Sequence, residues 1–153
     1  MLYYSATDAN INVQPLPINA YQLGTSGRPI PSPPTASTAA LFCNYAPTPA
    51  VSSNGTIAGS GIVWGIENPK SGNPANCKGV YVPAALHAFN ATTLQQLYTS
   101  GALTTKIGFV KGFPTPTIFQ GQVYMGTTAG PDNNLPAVDV FGLCSTVPTG
   151  CLQ

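Results

Sequence analysis

Short apolar runs recur along the chain at nearly even spacing, each a few residues long and bounded by proline, glycine or asparagine. Leu2-Tyr3-Tyr4-Ser5-Ala6, Ile62-Val63-Trp64-Gly65-Ile66 and Gln122-Val123-Tyr124-Met125-Gly126 occupy corresponding places, with Tyr4, Trp64 and Tyr124 sixty residues apart. A second run follows each of them: Pro17-Ile18-Asn19-Ala20-Tyr21, Ala85-Leu86-His87-Ala88-Phe89 and Ala137-Val138-Asp139-Val140-Phe141. Within these second runs the residues alternate. Ile18/Ala20, Leu86/Ala88 and Val138/Val140 fall on one face, and Asn19/Tyr21, His87/Phe89 and Asp139/Phe141 on the other. A period of two is the signature of β-strands, and apolar groups on both faces fit sheets covered on both sides.

This reading predicts strands at 2–6, 18–23, 61–66, 85–90, 94–99, 122–127 and 137–143. Pro47-Thr48-Pro49 and Pro114-Thr115-Pro116 open the second and third units, at 47–53 and 114–118. Asn54-Gly55 and Gln120-Gly121 are the hairpin turns, because the favoured two-residue turns want positive φ. The stretch 24–40, with Pro29, Pro31, Pro33 and Pro34, reads as a long inter-blade loop, with a surface linker as the alternative.

Repeated units of short strands imply blades set side by side. The expected fold is all-β, an incomplete β-propeller of four-stranded antiparallel blades. At this period 153 residues hold about two and a half blades, against four to eight in a closed propeller. The expected organisation is a partial blade at 1–27, a Pro-rich inter-blade loop at 28–46, a complete blade at 47–100, a partial blade at 101–143 and a disulfide-closed tail at 144–153. The first unit lacks its opening strand and the third its last. Met1-Leu2-Tyr3-Tyr4-Ser5 has no basic segment and no sustained apolar core, so it reads as the inside of a strand rather than a signal peptide.

Composition narrows the function classes. With 43% hydrophobic residues the chain has material for a core, and 16 Gly and 16 Pro suit many turns. Only 6% of residues are charged and the net charge is +1, so no field draws nucleic acid or an anionic membrane. No apolar run is long enough for a membrane-spanning helix. Cys43, Cys77, Cys144 and Cys151 form an even set in a loop-rich chain, which points to two disulfides and an extracellular or periplasmic location. Cys144 and Cys151 flank a short loop with Pro148 and Gly150, which pairs them and leaves Cys43 with Cys77. Zinc is disfavoured, since there is no Cys-x-x-Cys and only one histidine.

Candidate chemistry is sparse. A general base needs a polarising partner and a substrate pocket. His87 aligns with Asn19 and Asp139, so the position accepts varied polar groups and reads as structural; a contact with Asp139 across neighbouring blades is the alternative. Gly59-Ser60-Gly61 is a turn and not a nucleophile elbow. Trp64 and Tyr124 read as packing between blades, with sugar stacking as the other option. Asn54-Gly55-Thr56 and Asn90-Ala91-Thr92 are glycosylation sequons by pattern.

Residues 114–127 with Val138-Asp139-Val140-Phe141-Gly142-Leu143, and Leu86-His87-Ala88-Phe89-Asn90-Ala91-Thr92-Thr93-Leu94-Gln95-Gln96-Leu97-Tyr98, resemble the repeat of quinoprotein alcohol dehydrogenase-like propellers, the pyrroloquinoline-quinone-type repeat. The pattern there is Ala-Phe-Asp-Ala-x-Thr-Gly-x-x-Leu-Trp. Asn90 stands for the Asp, Thr93 for the Gly and Tyr98 for the Trp. The resemblance covers nearly all of 47–143 and, loosely, 2–23, and implies the C-terminal end of a longer repeat protein. Quinone-dependent members hold their cofactor with calcium, a catalytic Asp and a vicinal disulfide. Neither an adjacent Cys pair nor a calcium loop is recognisable around Asp8, Glu67, Asp132 or Asp139. The expectation is therefore a non-catalytic propeller segment of a secreted or periplasmic protein, a scaffold or binding surface, with no cofactor, no metal and no catalytic residue. A fragment of a quinone-dependent dehydrogenase and a cell-surface adhesion or carbohydrate-binding module are the alternatives. The expected partners are upstream blades of a longer parent chain, with self-association through open strand edges, no nucleic acid and no membrane span.

Overall fold

The computed structural model describes residues 1–5, 15–30, 33–43, 47–68, 77, 79, 82–101, 107–110, 114–128 and 136–142. These form three antiparallel sheets, with no α-helix among the described residues. The first sheet has the order β1 (Leu2–Ser5), β2 (Ile18–Tyr21), β3 (Ala36–Ser37). The second runs β4 (Ala50–Ser52), β5 (Ile62–Glu67), β6 (Ala85–Asn90), β7 (Gln96–Thr99). The third runs β8 (Thr117–Phe119), β9 (Gln122–Thr127), β10 (Ala137–Phe141).

The alternation read from the sequence governs how the sheets pack. On one face of the second sheet, Val63, Phe89 and Leu94 close a core with Ile18, Ala20 and Phe42. On the other, Ile66 and Leu86 close a core with Val123 and Met125, joined by Ala84, Ile107 and Val110. The second sheet is thus sandwiched, its strand β6 buried along five of its six residues. Burying side chains of this size contributes roughly 1.5–3 kcal/mol each. One face of the first sheet and one face of the third belong to neither core.

Local sequence explains the hairpins. Phe119 pairs with Gln122 across the two-residue turn Gln120-Gly121, whose residues have φ of 49° and 75°. Both angles are positive, as a type I′ turn demands. Asn54-Gly55 does not make the same turn. Only Gly55 has positive φ, and a longer loop follows, closed by Ile57 N–H to Asn54 O and by Ser60, which accepts from Asn54 N and donates to Ile57 O. In the β6–β7 hairpin the Asn90 carboxamide oxygen accepts from the amides of Thr92 and Thr93. Counted from Phe89, the glycine of the repeat pattern falls on Leu94 and not on Thr93. Leu94 adopts φ 54° while its side chain is buried in the core.

Two further expectations are corrected. The Pro-rich stretch is more than an inter-blade loop, since it supplies β3, and Thr38 Oγ1 there accepts from the buried amide of Ile18. The residue that matches Trp64 and Tyr124 is Tyr3, not Tyr4. Trp64 lies opposite Ala88, Tyr124 opposite Val140 and Tyr3 opposite Ala20, whereas Tyr4 lies opposite Asn19 on the other face. Even spacing misplaced it by one residue, and in a strand one residue means the opposite face.

Candidate functional site

The best-defined polar feature lies on the face of the second sheet that receives the first. His87, on β6, is 7% exposed, and its Nε2 sits 2.8 Å from Oε2 of Glu67 on β5. The pairs Gly65–His87 and Glu67–Ala85 place these side chains diagonally on one face. Phe42 meets the imidazole edge-on at 5.5 Å, and Phe89 stacks on it at 5.9 Å with an interplanar angle of 5°. Among the described residues, His87 Nδ1 is buried without a hydrogen-bond partner, as is Asn68 Oδ1 one residue beyond β5.

The same diagonal recurs in the third sheet. Thr127, which corresponds to Glu67 by strand pairing, donates to Oδ2 of Asp139, which corresponds to His87, at 2.9 Å. In the first sheet Asn19 holds that place and accepts from the Ser37 hydroxyl. So His87 and Asp139 do not meet across neighbouring sheets; each is held within its own sheet. The sequence alignment of Asn19, His87 and Asp139 was sound, but Glu67 was missed. Its only signal was its place at the end of β5, opposite Ala85.

Beside this pair, Cys43 and Cys77 form a disulfide with a Cα–Cα distance of 5.3 Å. It joins the segment after Phe42 to the excursion that follows β5. Cys144 and Cys151 lie outside the described residues. Trp64 Nε1 donates to Ser52 Oγ at 2.9 Å, and its ring packs against the core between the second and third sheets. Tyr124 donates to Gln122 and stands on the free face of the third sheet. Tyr4 is 55% exposed on the free face of the first.

A histidine–carboxylate pair can hold or pass a proton. Here it is capped by Phe42 and Phe89. Among the described residues no group of three or more His, Cys, Asp or Glu gathers to hold a metal. No described helix is long and apolar enough to cross a membrane. The arrangement works as a polar clasp inside a sheet, placed where two sheets meet. No protein family, curated protein or solved structure matches this chain.

Proposed function

We propose that this chain is a β-propeller repeat segment of a secreted or periplasmic protein, acting as a scaffold and binding surface without chemistry of its own. The observation that carries the reading is the recurrence of one strand register in three successive sheets, with Tyr3, Trp64 and Tyr124 in matching places. Repeats that each cover their neighbour's face are how blade arrays build a core. The Cys43–Cys77 disulfide supports an oxidising compartment. The polar position of each repeat is occupied by an in-sheet hydrogen bond, which supports a structural use of His87 and Asp139.

Experimental structure determination of the purified chain tests the architecture. Three sheets radiating about a common axis are expected, and sheets stacked by pure translation would overturn it. Titration with pyrroloquinoline quinone and calcium, followed by dye reduction, tests the chemistry. Saturable binding or turnover would favour the dehydrogenase alternative.

A further inference from the structure

Among the described residues the two outer sheets each leave one face uncovered, and the two faces differ in kind. On the third sheet Phe119, Gln122, Tyr124, Gly126, Val138 and Val140 share the free face, as their strand pairing requires. Val138 is 63% exposed and Phe119 59%, and a Cβ placed on Gly126 would meet nothing within 4 Å. On the first sheet Leu2, Tyr4, Asn19 and Tyr21 share the free face. Neither set contains a charged residue. A face of this kind marks an interaction site, since charge is what normally protects exposed sheet surface.

Strand register says which surfaces fit these faces. Val138, Val140 and Tyr124 occupy the places of Leu86, Ala88 and Trp64. Leu86 and Trp64 are the side chains with which the second sheet packs on the third. Leu2 and Tyr21 occupy the places of Val63 and Phe89, with which the second sheet receives the first. Inside the chain every sheet-to-sheet contact joins one face type to the other. The free face of the third sheet and the free face of the first are the next such pair. They continue the series of interfaces established within the chain, and the described residues of both are uncharged, so none of these side chains brings a desolvated charge to the contact.

We propose that the free face of the third sheet docks the free face of the first sheet of a second copy of this chain. The contact is heterologous, head to tail, and two such contacts close a ring if the rotation per sheet allows. This deepens the binding-surface reading and names where the partner sits. A negative result here removes the copy-to-copy contact, while the architecture and the dye assay stand or fall on their own tests.

The test is sedimentation of the full chain at micromolar concentration, for wild type, Val138→Asp, Tyr4→Asp and a one-to-one mixture of the two variants. Wild type is expected at twice the monomer mass or more, and each variant alone at the monomer mass. In the mixture one intact contact remains between unlike copies, so a two-copy species is expected to return. A monomeric wild type overturns the proposal. So does sensitivity to only one variant, which means a face pairing with itself, and so does insensitivity to both, which means pairing through strand edges. Emission from Trp64, half-buried against the core between the second and third sheets, checks that the variants are folded. Phe119→Lys and Leu2→Lys serve as the second pair if either aspartate variant fails that check.

Discussion

The Tyr3 hydroxyl donates a hydrogen bond to the carbonyl of Ala91, 88 residues away in the chain. It reaches from the opening strand of the first sheet to the β6–β7 hairpin of the second. Both residues also pack against the core that those sheets share. Apolar contact is non-directional, and a bond of this kind fixes how one sheet is rotated on the next. Asn90 shapes the turn that presents the carbonyl, so a local sequence choice sets a contact between layers.

Tyr3→Phe is expected to lose about 1 kcal/mol of stability at neutral pH, read from urea unfolding. Burial holds the Tyr3 hydroxyl above its ordinary pKa. A folded-state pKa above the unfolded one gives stability that is complete below about pH 10 and fades as pH rises through the folded value. The variant should therefore lose part of the alkaline decline seen in wild type. Tyr98, raised in the same direction by burial, keeps its own share of that decline. An unchanged alkaline profile would assign the whole of it elsewhere.

Leu94 offers a test with an inverted order. A leucine at φ 54° carries a left-handed backbone cost, offset by burying its side chain between sheets. Leu94→Ala keeps the cost and discards the burial, with a loss of roughly 2–4 kcal/mol. Leu94→Gly removes still more side chain yet relieves the backbone, so it should be more stable than Leu94→Ala by about 1 kcal/mol. The opposite order in thermal melts would show that φ is not strained there.

Much of this was legible in the chain, and the omissions have causes. Alternation at Ala85–Asn90 marked β6 and the sixty-residue echo at Gln122–Thr127 marked β9, both to the residue, and both strands carry apolar groups on a buried face. Ala36–Ser37 left no such trace. Two residues cannot alternate, and β3 is held by its pairing with β2 and by Thr38. Glu67 was invisible as a partner because its approach to His87 depends on which residues face each other across β5 and β6. The faces themselves were readable, since a period of two survives without knowledge of the neighbours.

Glu67→Ala takes from the buried His87 ring the carboxylate that Nε2 meets at 2.8 Å. A loss of about 1–3 kcal/mol is expected. Adding His87→Phe replaces the stranded imidazole by an apolar ring among Phe42 and Phe89, and should restore most of the loss. Denaturant midpoints for the two single variants and the double variant give the coupling. A neutral Glu67→Ala would mean that the pair contributes nothing to the fold.

Non-reducing peptide mapping is expected to return a Cys43–Cys77 linked peptide, and the same digest reads the pairing expected for Cys144 with Cys151. Reduction, or Cys43→Ala with Cys77→Ala, should lower stability by roughly 2–4 kcal/mol for a closed loop of this length. Equal melting temperatures with and without reductant would contradict it.

The disulfide also decides what a pulling force can reach. Its two ends are 34 positions apart, and β4 and β5 lie between them, while their partners β6 and β7 lie beyond. A load applied at the chain ends passes through the S–S bond and leaves that loop slack. Full extension then falls short of the reduced chain's by about 120 Å, at ~3.5 Å per residue. The central sheet is thus half shielded from tension. Its last two strands can be drawn off while the first two remain in a closed loop, ready to receive them when the load is released.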